Sequence, residues 1–463
     1  TKLFWQFLES TQAEALSLIK KDSPHDWERK VYERFDKVVK REGILEVLRK
    51  GLSFGDITFD LLHSLPVASS GERIRLKFEQ NIFSCTRQLR YSNKHPGQEI
   101  DLVLFVNGIP LITLELKNAW TNQTARYHGQ KQYREDRDHH QPLLQFARCL
   151  VHMAVDTDEV YMTTKLAGGS TIFLPFNQGN EGGQGNPPNP TGHRTAYLWE
   201  EVFTRESLTN LIEHFIKLSG KKRDPLKKKT LYFPRYHQLD VVRRLVDHCS
   251  AHGVGHKYLI QHSAGSGKSN SISWAAFQLI DIYPTTAEVA GGRDLERPLF
   301  ESVIVVTDRR LLDKQIKENI TSFTNNEDIV AHAERSADLR EALVQGKRII
   351  ISTIQKFPFI LKGVDALSDK HFAIIIDEAH SSQSGTAHTS MNSVVGKVEE
   401  EEEDQSESLR DHIYRQIEAR RMQRNASYFA FTATPKNSTL EKFGVQRADG
   451  SFHPFHLYSM KQA

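Results

Sequence analysis

Two carboxylates and a lysine in the first half of the chain have types and spacing suited to metal-dependent chemistry. Asp101 lies in one apolar segment, and Glu115 and Lys117 lie in the next, after an Asn107-Gly108 pair. Asn-Gly between apolar segments predicts a hairpin, and residues two apart share one face of a strand. Carboxylate oxygens bind Mg²⁺, and a neighbouring ammonium can position a water or offset charge on phosphorus. The pattern therefore predicts phosphodiester cleavage, with Asp101 and Glu115 as metal ligands. A hairpin with a surface Glu–Lys pair is the alternative.

The length of the hairpin turn decides whether Asp101 joins the other two residues. A strict two-residue turn places Asp101 opposite Leu114, on the wrong face of the hairpin. A three-residue loop with a left-handed Gly108 places it opposite Thr113 and on the face of Glu115. We therefore predict an odd-length loop or an equivalent bulge.

A second group of residues has the spacing of a phosphate-binding loop. The strand-like segment Lys257–Gln261 leads, through His262 and Ser263, into Ala264, Gly265, Ser266, Gly267, Lys268 and Ser269. Glycines let backbone N–H groups surround phosphate oxygens, and the following helix N-terminus favours negative charge. Lys268 would neutralise the β- and γ-phosphates, and the Ser269 hydroxyl would bind Mg²⁺. His262 stands where the first glycine of this motif is usual.

An acidic pair follows a later apolar segment, Phe372–Ile376, as Asp377 and Glu378. Parallel α/β sheets bind ligands at the carboxyl ends of their strands. We therefore expect Asp377 to hold the nucleotide's Mg²⁺ and Glu378 to polarise the attacking water.

The elements that must position these residues indicate an α/β fold. In the second half, apolar strand candidates alternate with helical segments, which predicts a parallel sheet; they are Lys257–Gln261, Ser302–Thr307, Arg348–Thr353, Phe372–Ile376 and Tyr428–Thr432. In the first half, strands are predicted at Arg73–Phe83, Glu99–Val106 and Ile109–Lys117. We expect one domain over residues 1–220, an exposed basic linker over 221–229 and a second domain over 230–463.

Composition limits the remaining function classes. The chain has 463 residues, and 61 Lys+Arg against 58 Asp+Glu give a net charge of +3, which neither requires nor excludes a nucleic-acid partner. Three widely spaced cysteines argue against a disulfide framework and fit a reducing, cytoplasmic compartment. The lack of a long apolar segment predicts no membrane span. The lack of an initiating Met suggests a trimmed or renumbered start.

Taken in order, the second-half motifs resemble superfamily 2 helicases and translocases and their first RecA-like domain. The resemblance implies that Arg235 and Gln238 read adenine. It implies that Val305–Arg309 and Ser352–Gln355 touch the DNA backbone, and that Thr432–Pro435 couples nucleotide state to domain motion.

The Asp-x13-Glu-x-Lys pattern resembles the PD-(D/E)xK nuclease fold. A nuclease of this type followed by a superfamily 2 motor is similar to the restriction (motor) subunit of type I restriction-modification enzymes. Further matching segments are Asn81–Phe83, Asn107–Leu111, Glu115–Asn118, Tyr197–Glu200 and Gln261–Ser263. The likeness runs from Phe78 to Pro435 and makes His262 the expected residue at its position.

The family also carries a Gln-x3-Tyr element on a helix after the nuclease lysine. Its tyrosine corresponds to Tyr133, but the glutamine position is then Gly129, with Gln130 beside it. Gln123 and Tyr127 also fit the spacing. The choice between Gln123 and Gln130 stays open.

The resemblance implies ATP-driven translocation of double-stranded DNA and Mg²⁺-dependent cleavage far from the recognition site. It implies methylation and specificity subunits as partners, no membrane, and Glu28 as a possible further acid of the metal site. We expect the second RecA-like domain of the family to lie outside this sequence, and we therefore expect weak ATP binding and poor hydrolysis by this chain alone. Another nuclease–helicase fusion, acting in repair or as a type III-like enzyme without a methyltransferase partner, is the alternative. A DNA-binding scaffold with decayed sites is a third hypothesis, and the intact motifs argue against it.

Overall fold

The computed structural model describes residues 2–67, 70–92, 95, 97–221, 223–307, 316, 318–320, 329–333, 335–377 and 425–462. Within it the chain forms two compact units, Thr1–Tyr236 and His237–Ala463. The division falls beyond the basic segment that we expected to be a linker. Leu226–Lys228 in that segment is a 3₁₀ turn, and the strand that follows it pairs within the first unit.

The first unit is mixed α/β. Its helices are α1 (Lys2–Thr11), α2 (Ala13–Asp22), α3 (Trp27–Glu42), α4 (Ile44–Lys50), α5 (Glu72–Glu79) and α6 (Arg205–Asn210). Its strands are β1 (Leu52–Phe54), β2 (Ile57–Phe59), β3 (Phe83–Arg90), β4 (Glu99–Val106), β5 (Ile109–Leu116), β6 (Val151–Val155), β7 (Val160–Thr163), β8 (Leu174–Pro175), β9 (Lys217–Ser219) and β10 (Thr230–Tyr232). Four short segments are π-helical: Ala125–Gly129, Gln132–Asp136, Leu198–Val202 and Leu211–Phe215.

Six strands form the main sheet of this unit, in the order β3-β4-β5-β6-β7-β8. Its neighbours pair antiparallel except β5 and β6, which are parallel. The hairpin β4–β5 has a two-residue turn, with Val106 opposite Ile109, so the three-residue loop is not what forms. Asn107 and Gly108 both have positive φ, at 51° and 76°, as a type I′ turn requires.

A bulge next to the turn provides the equivalent shift that we predicted. Phe105 pairs with Pro110 but Leu104 pairs with Ile112, so Leu111 is the extra residue. From there Leu102 pairs with Leu114, and one further step of this register places Asp101 opposite Glu115. The bulge therefore brings Asp101 to the face of Glu115.

The strand predicted at Arg73–Phe83 is wrong over most of its length. Glu72–Glu79 is helix α5, and only its Phe78 is buried. Alternating apolar and charged residues suggested a strand, but Ile74 and Leu76 are 44% and 58% exposed on a surface helix. The alternation therefore reflects no buried face.

The second unit has a parallel sheet between helices, which confirms the predicted fold class. Its helices are α7 (Tyr236–His252), which begins at the last residue of the first unit, α8 (Lys268–Leu279), α9 (Ser336–Val344), α10 (Phe357–Ala366) and α11 (Asn437–Phe443). Its strands are β11 (Lys257–His262), β12 (Ser302–Thr307), β13 (Val330–Ala333), β14 (Ile349–Thr353), β15 (Phe372–Ile376), β16 (Ala426–Thr432), β17 (Val445–Gln446), β18 (Phe452–His453) and β19 (His456–Tyr458).

Seven strands of this unit form one sheet in the order β13-β14-β12-β15-β16-β11-β19, and each neighbouring pair is parallel. Strands β12, β14, β15 and β16 are buried along their whole length. Continuous apolar strands suit a sheet covered on both faces. In the part of the chain that the structure describes, none of the helices has the length and apolar character needed to cross a bilayer.

Candidate functional site

In the first unit, Asp101, Glu115 and Lys117 lie together at the end of the β4–β5 hairpin remote from its turn. The Lys117 ammonium is 3.6 Å from Asp101 Oδ2 and 4.0 Å from Glu115 Oε2. Leu116 N–H donates to Asp101 Oδ2 at 2.7 Å, which fixes that carboxylate against β5. The structure thus brings together the three residues that the sequence singled out.

Glu115 is completely buried and paired with an arginine that the sequence analysis did not find. Arg137 Nε and Nη2 donate to its two carboxylate oxygens at 2.7 and 3.2 Å. Burial raises the pKa of Glu115 to about 7, even though the bonds and charge of Arg137 act in the opposite direction. A half-exposed Asp101 and a buried Glu115 offer the hard oxygen ligands that Mg²⁺ prefers, so the donor set fits such an ion.

Asparagine side chains hold the turn of this hairpin in place. Asn107 is fully buried; its Oδ1 accepts from Ile82 N at 2.7 Å, and its Nδ2 donates to Leu61 O and Asn81 Oδ1 at 2.9 and 3.0 Å. Asn81 in turn accepts from His63 N and donates to His63 O. Two of the family-like segments in the sequence are therefore in direct contact.

The π-helical segments affect which residues of the Gln-x3-Tyr element share a face, and so bear on the choice between Gln123 and Gln130 that the sequence left open. A π turn bonds i to i+5, so residues four apart do not share one face as they do in an α-helix. Gly129 has no room for a side chain, because a Cβ there would lie 2.8 Å from Ala154 Cβ. Gln130 is buried and accepts from Arg134 at 3.0 Å, whereas Gln123 is exposed.

Tyr133 and Glu28 have different relations to the carboxylates. Tyr133 is buried, and its hydroxyl is 2.8 Å from Thr113 Oγ1 on β5. Glu28 is exposed in the first turn of α3 and raises the pKa of Tyr32, although burial is the larger cause of that shift. Tyr32 packs on Phe4, and the backbone of Phe4 adjoins the hairpin turn. Glu28 therefore lies toward the turn, whereas Asp101 lies at the other end of the hairpin.

In the second unit, the Gly-rich segment leaves β11 and enters α8 as predicted. Gly265 and Gly267 have φ of 77° and 84°, and α8 begins at Lys268. No atom of the described residues lies within 4 Å of a Cβ built on Gly265. In the same part of the chain, Ser263 Oγ and Ser266 Oγ are buried without a hydrogen-bond partner. Open backbone and unsatisfied hydroxyls are what a loop built to receive phosphate oxygens would show.

The second carboxylate motif lies at the same edge of the sheet. Asp377 follows β15, is 2% exposed, and its N–H donates to Val306 O at 2.9 Å. Thr432 ends β16, which lies between β15 and β11. Glu378, Asp308 and Arg309 lie outside the described residues.

The two residues expected to read adenine fall in different units. Gln238 in α7 is buried, and its Nε2 donates to Ser266 O and Gly267 O, each at 3.2 Å. Gln238 thus supports the phosphate loop directly, which the sequence did not suggest. Arg235 belongs to the first unit and is half-buried.

Comparison with known proteins gives each unit a family match. Residues 14–171 match the type I restriction enzyme R protein N terminus, and residues 237–463 match the SWI2/SNF2 ATPase family. The chain is related to the R proteins of type I restriction enzymes. A segment that matches the N terminus of these proteins is followed by one that matches an ATPase family.

Curated relatives of this chain agree with the family matches. The type I restriction enzyme HindI endonuclease subunit of Haemophilus influenzae is 26% identical over 397 residues, which are 83% of this chain and 34% of that protein. The putative MjaIXP endonuclease subunit of Methanocaldococcus jannaschii is 27% identical over 72% of this chain and 29% of that protein. The chain therefore spans about a third of the length of these relatives.

Among solved structures, the SWI2/SNF2 ATPase core of Sulfolobus solfataricus in complex with dsDNA aligns with 46% of this chain and 34% of its own. The sequence identity is 14% and the TM-score is 0.26.

Proposed function

We propose that this chain forms the nuclease and the first motor domain of a type I restriction subunit, which translocates double-stranded DNA with ATP and cleaves it with Mg²⁺ at remote sites. The observation that carries the proposal is the meeting of Asp101, Glu115 and Lys117 in a unit whose chain continues into a phosphate-loop sheet. The relatives named above are type I endonuclease subunits, which favours this reading over other nuclease–helicase fusions.

In the nuclease site, the carboxylates of Asp101 and Glu115 would hold the metal ion. When bound, Mg²⁺ supplies Lewis-acid assistance to phosphodiester hydrolysis. Lys117, whose ammonium lies within 4.0 Å of both carboxylates, would hold the attacking water and offset negative charge on the phosphate. Arg137 keeps the charge of the buried Glu115 compensated.

In the motor site, the loop from Ala264 to Ser269 would bind the ATP phosphates, with Lys268 neutralising them. Ser269 and Asp377 would hold the nucleotide's Mg²⁺, and Glu378 would polarise the attacking water. Gln238, whose amide holds the loop through Ser266 O and Gly267 O, is the residue of this unit that would read the adenine.

The test of the nuclease assignment is nicking of supercoiled plasmid by the purified chain with Mg²⁺. Lys117→Ala should abolish nicking and leave nucleotide binding intact. Lys131→Ala is the matched control, since Lys131 is exposed and pairs only across the surface with Glu135 at 3.6 Å. Nicking that survives in Lys117→Ala at the level of the parent chain would reject the nuclease site.

Co-expression separates the two readings of the whole assembly. We expect methylation and specificity subunits of a type I system to co-purify with the intact restriction subunit. If the intact subunit purified without either partner and cleaved DNA in their absence, the result would favour the other class of nuclease–helicase fusion.

A further inference from the structure

Three polar side chains, those of His262, His456 and Asp240, form a hydrogen-bonded series beside the phosphate loop of the second unit. His262, at the end of β11, is 0% exposed, and its Nε2 is 2.8 Å from Nδ1 of His456 on β19. His456 is 7% exposed, and its Nε2 is 3.0 Å from Oδ2 of Asp240 on α7. Both ring nitrogens of His456 are therefore engaged between two other elements.

The Asp240 carboxylate at one end of this series determines which ring nitrogens of His456 and His262 carry a hydrogen. Burial favours the protonated form of Asp240, but the hydrogen bond from His456 and the charges of His456 and Arg244 outweigh it and lower its pKa. An ionised Asp240 only accepts, so His456 Nε2 carries a hydrogen and donates it. With its hydrogen on Nε2, His456 accepts through Nδ1 from Nε2–H of His262.

The same reasoning determines whether the last ring nitrogen, Nδ1 of His262, carries a hydrogen. Burial, with smaller contributions from His456, His237 and Lys268, holds the pKa of His262 well below its usual value, so His262 is neutral. A neutral imidazole with a hydrogen on Nε2 has a bare Nδ1. Nδ1 of His262 is buried, and none of the described residues forms a hydrogen bond with it. A two-bond relay thus fixes the tautomer of the residue from which the loop departs.

The elements joined by the relay also hold the rest of the loop. Ser263 N–H donates to Tyr458 O on β19 at 2.9 Å. His237 on α7 stacks on Tyr458 with ring centroids 3.6 Å apart, and its Nε2 contacts Ser266 O at 3.0 Å. Strand β19 and the first turns of α7 therefore hold both ends of the phosphate loop.

We propose that His456 is a positioning residue for nucleotide binding, which transmits the carboxylate of Asp240 to His262 and so holds the phosphate loop in its binding conformation. The inference rests on the proposed nucleotide site. It adds a residue far along the chain, in the short strand β19, to the groups that determine nucleotide affinity.

The experiment measures the affinity of the full chain for a fluorescent ADP analogue with Mg²⁺. His456→Phe keeps a ring of similar shape but removes both bonds, and we expect about tenfold weaker binding, as for loss of about one buried hydrogen bond. Asp240→Asn should weaken binding to a similar degree. Its amide can donate to His456 Nε2 and reverse the hydrogens, as the same change does to a buried Asp–His pair in a protease.

Two readouts distinguish this role from simple support of the fold. The double variant His456→Phe/Asp240→Asn should bind no more weakly than the worse single variant, because both changes break one relay. In the chain labelled with ¹⁵N-histidine, Asp240→Asn should move the hydrogen of His262 from Nε2 to Nδ1, with the His262 signals assigned by their loss in His262→Gln. His453→Phe, a matched change on β18, should leave affinity unchanged.

The outcomes separate this inference from the proposed function. If the parent chain binds and Lys268→Ala does not, the nucleotide site stands, and parent-like affinity of Asp240→Asn and His456→Phe then overturns the relay. Additive losses in the double variant also overturn it. If His456→Phe does not fold, the near-isosteric Asp240→Asn decides by affinity and tautomer. A parent chain that binds no nucleotide rejects the proposed site, and the relay with it.

Discussion

At the scale of single residues, the buried Glu115 has an unusual protonation state. Burial raises its pKa to about 7, above the ordinary range of a glutamate, although Arg137 pairs with both oxygens. For an acid whose pKa is raised on folding, the free energy of unfolding falls as pH rises from the unfolded pKa to the folded pKa, because only the unfolded chain releases its proton there. Between these values the folded chain keeps a proton on Glu115 that a metal ion must displace.

We therefore expect metal binding to release protons in a pH-dependent way. Because ligands bind metal in their deprotonated form, Mn²⁺ binding should release close to one proton at about pH 6 and almost none at about pH 8.5. Calorimetry in buffers of different ionisation enthalpy measures this number. Glu115→Gln should abolish the metal binding altogether. Equal proton release at both pH values would contradict the assignment of Glu115 as a ligand.

At the scale of elements, the turn of the β4–β5 hairpin is held by three hydrogen bonds of the Asn107 side chain. Asn107→Gly keeps the positive φ of 51° but leaves the half-buried Ile82 N–H and the buried Leu61 carbonyl without their bonds. We expect a loss of about 2–4 kcal/mol in unfolding free energy, measured by urea denaturation. Asn122→Gly is the matched control, since Asn122 is exposed at a φ of 57°; a similar loss there would contradict our account.

The π-helical segment against β6 supplies a second test at this scale. A Cβ at Gly129 would lie 2.8 Å from Ala154 Cβ and 3.6 Å from Lys117 Cγ. Gly129→Ala should therefore displace the segment, cost about 1–3 kcal/mol and reduce nicking through Lys117. Gly169→Ala, where nothing lies within 4 Å, should change neither quantity. Thermal denaturation and plasmid nicking check both variants.

Elements also show where sequence reasoning succeeds and where it stops. Strands such as Ser302–Thr307 and Phe372–Ile376 were predicted with the observed bounds, because an apolar run buried on both faces has few other conformations. The shared face of Asp101 and Glu115 was predicted, with a bulge as one way to reach it, but the position of the extra residue at Leu111 was not, since register depends on packing along the whole hairpin. Arg137 was missed because π turns change which residues face β5.

At the scale of the whole molecule, two compact units each contain a sheet and one of the two candidate sites. A ligand that binds only a folded unit stabilises that unit by mass action, by about 2.7 kcal/mol at a hundredfold excess over Kd. The position of each site in the chain therefore predicts which melting transition each ligand shifts.

We expect calorimetric unfolding of the full chain to show two transitions, with ADP added in the presence of Mg²⁺ raising one and Mn²⁺ alone raising the other. Lys268→Ala should remove the ADP effect and retain the Mn²⁺ effect, because Lys268 begins α8 in the second unit. Asp101→Asn should do the reverse, because Asp101 lies on β4 in the first. If either substitution removed both effects, or if ADP still raised its transition in Lys268→Ala, the assignment of one ligand to each unit would be wrong.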